Sequence, residues 1–395
     1  VIGLINMDSF KRTLTLKNSV FLGLSSMIGA GLFVNIAPTA VISSYSLILG
    51  LVIASFLAFA NASSSAQLAR VFPETGGTYL YARKVLGNNA SLFSGIVFII
   101  GKIISSIAIA LTFGNYLMPS YPKTSGVMLV LLVGIISYFG ATKTASVARW
   151  FVYSVIGILM FYIFSITTST NFNFSIPVSE GLSIETLLIS SSIWFFAFTG
   201  YSRLATFGEE VKNPEKIIPK AILTGLGLTV TIYFLVTYIT LGIVDPSIIQ
   251  NSSTPLKVAF DLSRFSNFSF LISIASTIAT GSVLLALIPG ISRVAVAMSR
   301  DKYLPMGLGK IHKKYNSAYI ADVSIALIVI LGVLTVDVIE AIKISSFFIL
   351  LYYSLTNLSV IKLEKSQRLY SIFIAYFGLL GCLLLASSLF LNFLN

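Results

Sequence analysis

Apolar side chains fill this chain in long, nearly unbroken stretches, without the strict alternation of a half-buried strand. The stretches fall near residues 17–46, 47–69, 90–118, 125–141, 148–170, 184–207, 218–243, 267–299, 320–336, 339–361 and 369–393, eleven in all. A helix needs ~20 mostly apolar residues to cross a bilayer, so 320–336 sits at the lower limit. Alternating segments of about ten residues are absent, which excludes a membrane β-barrel. The pattern predicts an all-α, polytopic membrane protein with one transmembrane domain over residues 1–395. Two stretches do not fit a single straight helix. The first is too long and contains Gly29-Ala30-Gly31, and the sixth is interrupted at Thr199-Gly200.

Composition sharpens this picture. Of 395 residues, 56% are hydrophobic and only 10% charged, whereas a soluble domain carries about a quarter charged residues. So few charges cannot coat a water-facing surface, and the lipid bilayer is the expected surrounding. Little chain remains for a soluble catalytic domain. No Cys/His/Asp cluster, paired intramembrane carboxylates or nucleotide loop suggests an enzyme, and no metal or cofactor is expected. A lone Cys382 excludes an intrachain disulfide and reads as packing, and His312 lies in a basic loop. The first apolar stretch is too long for a cleavable signal peptide.

The net charge of +12 would suggest nucleic acid in a soluble protein. Here it is better explained by basic cytoplasmic loops, and no nucleic-acid partner is expected. A cytoplasmic N-terminus puts nineteen Lys and Arg on that side and only Lys123, Lys257, Arg264 and Lys343 on the other. Eleven spans then leave the C-terminus outside a multi-pass cell-membrane protein.

The two irregular stretches lie five spans apart, and an odd spacing inverts the second unit relative to the first. This suggests one repeat over about 17–170, a second over about 184–361, and an extra helix over about 369–393. Paired interruptions of this kind point to a carrier's binding site. At Gly29, Ala30 and Gly31 the backbone can leave helical geometry and turn its N–H groups toward a carboxylate. Small residues there serve equally well as a helix-packing face. At Phe196-Ala197-Phe198-Thr199-Gly200-Tyr201, freed carbonyls would accept an ammonium group, although an aromatic packing stripe has the same composition. Donors for a carboxylate together with acceptors for an amine describe an α-amino acid.

These residues carry a resemblance. Gly23-Leu24-Ser25-Ser26-Met27-Ile28-Gly29-Ala30-Gly31-Leu32-Phe33, the Phe196–Tyr201 run, Glu209-Glu210-Val211-Lys212-Asn213-Pro214 and Ser292-Arg293 through Met298-Ser299-Arg300-Asp301 occur in this order. Together they resemble amino acid permeases of the amino acid–polyamine–organocation superfamily. The resemblance implies a LeuT-type fold of five-plus-five inverted repeats with broken first and sixth helices and alternating access. It implies a substrate carboxylate at Gly29, Ala30 and Gly31, and an amine at carbonyls near Met27, Phe196 and Thr199. Phe196 would act as an aromatic gate, and Phe198, Gly200, Tyr201 and Ser202 would shape the pocket.

The chain also departs from the family pattern. Several proton-coupled relatives carry a fifth-span lysine, where this chain has Val155. Lys102 of the third span is instead the one lysine deep in a membrane segment, and intramembrane ionisable groups are functional candidates by default. Sodium is the other candidate coupling ion, with hydroxyls at Thr277, Thr280 and Ser282. Such hydroxyls more often bond their own helix backbone. Arg203 either faces an anionic group in the cavity or pairs with Glu209 or Glu210 at a cytoplasmic gate. Helix pitch, carrying it ~4.5 Å beyond Gly200, favours the gate. Arg293 reads as part of the same network. Ser202 stands where relatives for cationic substrates carry a carboxylate. The expected function is therefore proton-coupled symport of neutral amino acids. Exchange, sodium coupling, or carriage of polyamines or other organic cations are the alternatives, with a channel further behind. Family members commonly have twelve spans against eleven here.

Overall fold

The computed structural model describes residues 12, 14–40, 44–74, 76–140, 145–173, 183–205 and 211–394. Among these residues the chain is helical, with no strand and a lone parallel bridge between Leu14 and Val211. The first apolar stretch becomes three helices, α1 (Leu16–Met27), α2 (Ala30–Val34) and α3 (Ile36–Ala40). After α4 (Ser44–Val71) comes a short connecting helix, α5 (Gly77–Val85), then α6 (Asn88–Leu117), α7 (Pro122–Tyr138) and α8 (Ala145–Thr167). The sixth stretch is split into α9 (Ile184–Phe198) and α10 (Ser202–Ala205). Next come α11 (Pro214–Leu241), two short loop helices, α12 (Pro246–Ile249) and α13 (Pro255–Asp261), and the long α14 (Phe270–Arg300). The chain finishes with α15 (Tyr319–Thr335), α16 (Val338–Lys362) and α17 (Ile372–Leu394).

Among the described residues, every stretch expected to span is helical apart from its breaks, with ends that differ by a few residues. Eight helical spans among these residues are long and apolar enough to cross a membrane by themselves, against the eleven stretches of the sequence. The difference lies in α7 and α15, of 17 residues each, and in α9, which the break holds to 15. Local chemistry sets several ends. Pro122 opens α7, where its missing N–H costs nothing. Asp337 caps α16 by accepting the Ile339 N–H at 3.0 Å.

Contacts between connecting segments sort the helix ends onto two faces. On one face Leu14 accepts the Lys212 N–H, Arg83 pairs with Asp301, and Ser317 donates to the Tyr138 carbonyl. On the other, Lys123 donates to the Leu334 carbonyl, the Arg264 N–H to Ser169, and Lys343 to Asn392. Within the bundle, α6 packs along α14 and α16, and α4 packs along α9 and α11.

α17 is attached by more than apolar packing. Asn357 of α16 donates to Asn61 of α4 (2.6 Å) and accepts from Ser64 (2.7 Å), while Asn61 lies 3.3 Å from the Cys382 sulfur of α17. All four groups are fully buried. Buried in a membrane-spanning bundle, each needs its partner inside the protein. Asn357→Ala is expected to strand Ser64, leave Asn61 its contact with Cys382, and cost about 1–3 kcal/mol. A lower unfolding temperature in detergent is the check, and an unchanged one would show that the cluster contributes nothing.

Candidate functional site

Two helices stop and restart in the middle of the bundle. α1 ends at Met27, Ile28 (ψ 89°) and Gly29 (φ −144°, ψ −146°) leave helical geometry, and α2 resumes at Ala30. α9 ends at Phe198, residues 199–201 turn, and α10 begins at Ser202. The breaks lie against each other. A Cβ on Gly200 would run into the Ser26 carbonyl and stand 2.7 Å from the Met27 nitrogen, and one on Gly31 would strike Ala197. Packing face and helix break, alternatives in the sequence, are one feature here. The Tyr233 hydroxyl of α11 spans the junction, shared between the Met27 carbonyl (2.6 Å) and the Ala197 carbonyl (3.2 Å).

A cavity of about 380 Å³ opens between the breaks. Met27, Gly29, Ala30 and Gly31 line it from one side, and Phe196, Thr199, Gly200 and Ser202 from the other. Lys102 of α6, only 5% exposed, lines it as well and donates to the Thr199 carbonyl at 3.3 Å. Phe196 packs with Ala30, Ile109 and Val283 to make the apolar end. Beyond that end Tyr116 donates to the Phe33 carbonyl and Asn35 to the Ile193 carbonyl, each at 2.8 Å. The opposite end runs to Arg293, Arg300 and Tyr79. There Asp301 accepts from Tyr79 and from Arg83, each at 2.6 Å, and joins α5 to the end of α14. Burial first, and then the Asp301 carboxylate, hold the Tyr79 phenol above its ordinary range, so it remains a donor.

The expected amine acceptors all carry donors from within the protein. Thr199 O receives Lys102, Ser202 and Tyr353, each at 3.3 Å. Phe196 O receives the Thr199 backbone (3.3 Å) and hydroxyl (3.0 Å), and Met27 O receives Tyr233. A carbonyl has two lone pairs, so Met27 O keeps some capacity and Thr199 O is already crowded.

Other expected residues point elsewhere. Phe198 and Tyr201 do not line the cavity. The Phe198 ring lies 5.3 Å from that of Tyr233, and Tyr201 stacks on Tyr353 at 5.2 Å. Phe196, Ala197, Thr199 and Gly200 line the cavity, while Phe198 and Tyr201 are buried in the core. Thr277 and Thr280 donate to their own helix, to the Ser273 and Ser276 carbonyls, each at 2.6 Å. Ser282 differs, for it lines a separate crevice of about 10 Å³ with Ser25, Ile28 and Val155, roughly the room of one water. Arg203 lines the cavity and donates to the Ala286 carbonyl of α14, one turn before Pro289. Its expected partners Glu209 and Glu210 lie outside the described residues.

Comparison with known proteins settles the family, because residues 18–394 match the family described as amino acid permease. The chain belongs to that family. An uncharacterized transporter of Mycobacterium tuberculosis is 34% identical to this permease over 387 residues, covering 97% of this chain and 87% of its own length. The branched-chain amino acid permease BcaP of Bacillus subtilis is 24% identical over 389 residues, covering 91% and 82%. The serine/threonine exchanger SteT of the same organism is 26% identical over 389 residues, covering 92% and 87%. These relatives are transporters, and none is named as an enzyme.

Among the residues that escaped the sequence reading are Tyr233 and Tyr353, which bond the backbone of the permease's two breaks. Tyr233 stands singly between Ile232 and Phe234 in an apolar run, with nothing to mark it as the bridge between breaks. Tyr353 had a weak signal. Tyr352 and Tyr353 put adjacent hydroxyls in a membrane helix, where each needs an internal partner.

Proposed function

We propose that this multi-pass membrane permease is a secondary active carrier of neutral amino acids. One observation carries the reading: both helix breaks line the same cavity, so the freed backbone of each reaches one small molecule. The substrate carboxylate is assigned to the N–H groups at Gly29, Ala30 and Gly31, and the amine to the remaining capacity of the Met27 carbonyl. Phe196 closes over the substrate at the apolar end. The two repeats, about 17–170 and 184–361, form inverted five-helix units around this point in a LeuT-type arrangement, with the helix after them as an addition, and one helix bundle rocks against a scaffold.

With a cytoplasmic N-terminus, the cavity end at Tyr79 and Arg300 faces the cytoplasm, and the described conformation is inward-facing. Proton-coupled symport is assigned to Lys102, the intramembrane lysine that touches the second break. The crevice at Ser282 supports sodium as the alternative, with Val155 where proton-coupled relatives carry a lysine.

The test is uptake of a panel of labelled amino acids into proteoliposomes under imposed proton or sodium gradients. Saturable accumulation driven by one gradient, or exchange against preloaded substrate, is the expected result. No accumulation and no exchange with any amino acid would overturn the assignment.

A further inference from the structure

The second break leaves a carbonyl without its helical partner. In an unbroken helix the Thr199 carbonyl would accept the Arg203 N–H, but that N–H donates to Gly200 instead, at 3.2 Å. Buried in a membrane-spanning bundle, the freed oxygen has to be satisfied by side chains. Three supply donors: the Lys102 ammonium from α6, the Tyr353 hydroxyl from α16 and the Ser202 hydroxyl from the turn itself, each at 3.3 Å. A carbonyl oxygen has two lone pairs, and all three contacts are longer than the ordinary range of about 2.7–3.2 Å. Three donors share what two would hold better, so withdrawal of one lets another close in.

The donors differ in what they are fixed to. Ser202 belongs to the same turn, and its bond ties the break only to itself. Lys102 reaches across on a flexible stem and lines the cavity, where a substrate or a proton changes what it holds. Tyr353 is fully buried, with its ring stacked on Tyr201 (5.2 Å) and edge-on to Phe195 (5.8 Å). Its helix is pinned on either side of it. The adjacent Tyr352 hydroxyl accepts the Thr78 N–H of α5 at 3.1 Å, and Thr356 pairs with the Thr78 hydroxyl at 2.8 Å. One turn beyond Tyr353, Asn357 bonds Asn61 and Ser64 of α4, and two turns before it Ser345 pairs with Ser105 of α6 at 2.6 Å. Tyr353 is the donor that stays in place when Lys102 lets go.

We infer that Tyr353 is a positioning residue for transport: it and Lys102 are alternative anchors of the second break, and either one keeps the Thr199–Gly200 turn against α1. Its bearing on transport rests on the carrier reading above. Tyr353 does not line the cavity, and its hydroxyl acts on the substrate through the Thr199 carbonyl. With this second anchor, Lys102 is free to exchange a proton or turn toward a substrate while the break keeps its shape.

Loss of both anchors should exceed the product of the separate losses. The full-length permease in proteoliposomes is assayed for counterflow of labelled serine and, separately, of labelled leucine. The variants are Tyr353→Phe, which keeps the ring, Lys102→Met, which keeps an unbranched chain, and the two combined. The combined variant is expected to lose at least about tenfold more exchange than the product of the single losses. Tyr352→Phe combined with Lys102→Met is the matched control, because the Tyr352 hydroxyl bonds α5 and not the break, and its losses should simply multiply. Amide hydrogen exchange over residues 196–204 makes the same comparison without a substrate, and should quicken in the Tyr353 pair by a similar excess. A simple product in either readout would overturn the inference, as would an equal excess in the Tyr352 control. If the Tyr353 pair does not fold, folding of the control pair supports the inference and failure of both overturns it. Wild-type protein that exchanges neither amino acid would remove the carrier reading, and the amide measurement would then decide between alternative and independent anchors.

Discussion

Proteoliposomes carrying Lys102→Ala should lose gradient-driven accumulation while still exchanging substrate across the membrane. Lys102 is buried, lines the cavity and bonds a carbonyl of the second break, so a proton gained or lost there changes what holds α6 to that break. Alanine removes both the proton site and the hydrogen bond, and the cavity gains space. For one proton per substrate, a gradient of about one pH unit supports at most about tenfold accumulation. The variant should therefore fall from that level to simple equilibration. Labelled uptake with and without the imposed gradient, and counterflow as the control, measure the two behaviours separately. Sodium-driven accumulation that survives the substitution would make Lys102 structural and move attention to the Ser282 crevice. Proton-driven accumulation that survives would remove Lys102 from coupling altogether.

The second large effect is expected at Gly200. A side chain there has no space, because its first carbon would meet the Ser26 carbonyl and lie 2.7 Å from the Met27 nitrogen. Both obstacles are backbone, which cannot swing aside as a flexible side chain can. Gly200→Val must push the breaks apart. Overpacking of this kind costs about 1–3 kcal/mol, and uptake should fall at least about tenfold even in the fraction that remains folded. Gly157→Ala on α8 is the matched control, since a Cβ there meets nothing within 4 Å. Equal uptake rates for the two variants, normalised to folded protein by size-exclusion chromatography, would show that close approach of the breaks is dispensable.

The helices were legible because lipid permits few alternatives: a long apolar stretch has to satisfy its backbone internally, and a helix does so. The pattern gave α7 and α15 their 17 residues, and the helix it overran was α9, which the break holds to 15. Both breaks were legible from glycine beside small residues. The pocket wall was less so. Phe198 and Tyr201 belong to the same motif as Phe196 and Thr199, yet rotation along the helix turns them inward to Tyr233 and Tyr353. A linear motif does not record which of its members shares a face with a helix 30 or 150 residues away. The charge of the wall is likewise distributed, with Lys102 on α6 and Arg293 on α14 contributing to one cavity from distant parts of the chain.

The Tyr233 hydroxyl, shared between the Met27 and Ala197 carbonyls, gives the two interrupted helices a common pivot. Moving one break away from the other gives up a share of that hydroxyl, at a cost of about 0.5–1.5 kcal/mol. Moving the two together keeps it. The phenol thus favours joint movement of two hinges that are 170 residues apart in the chain.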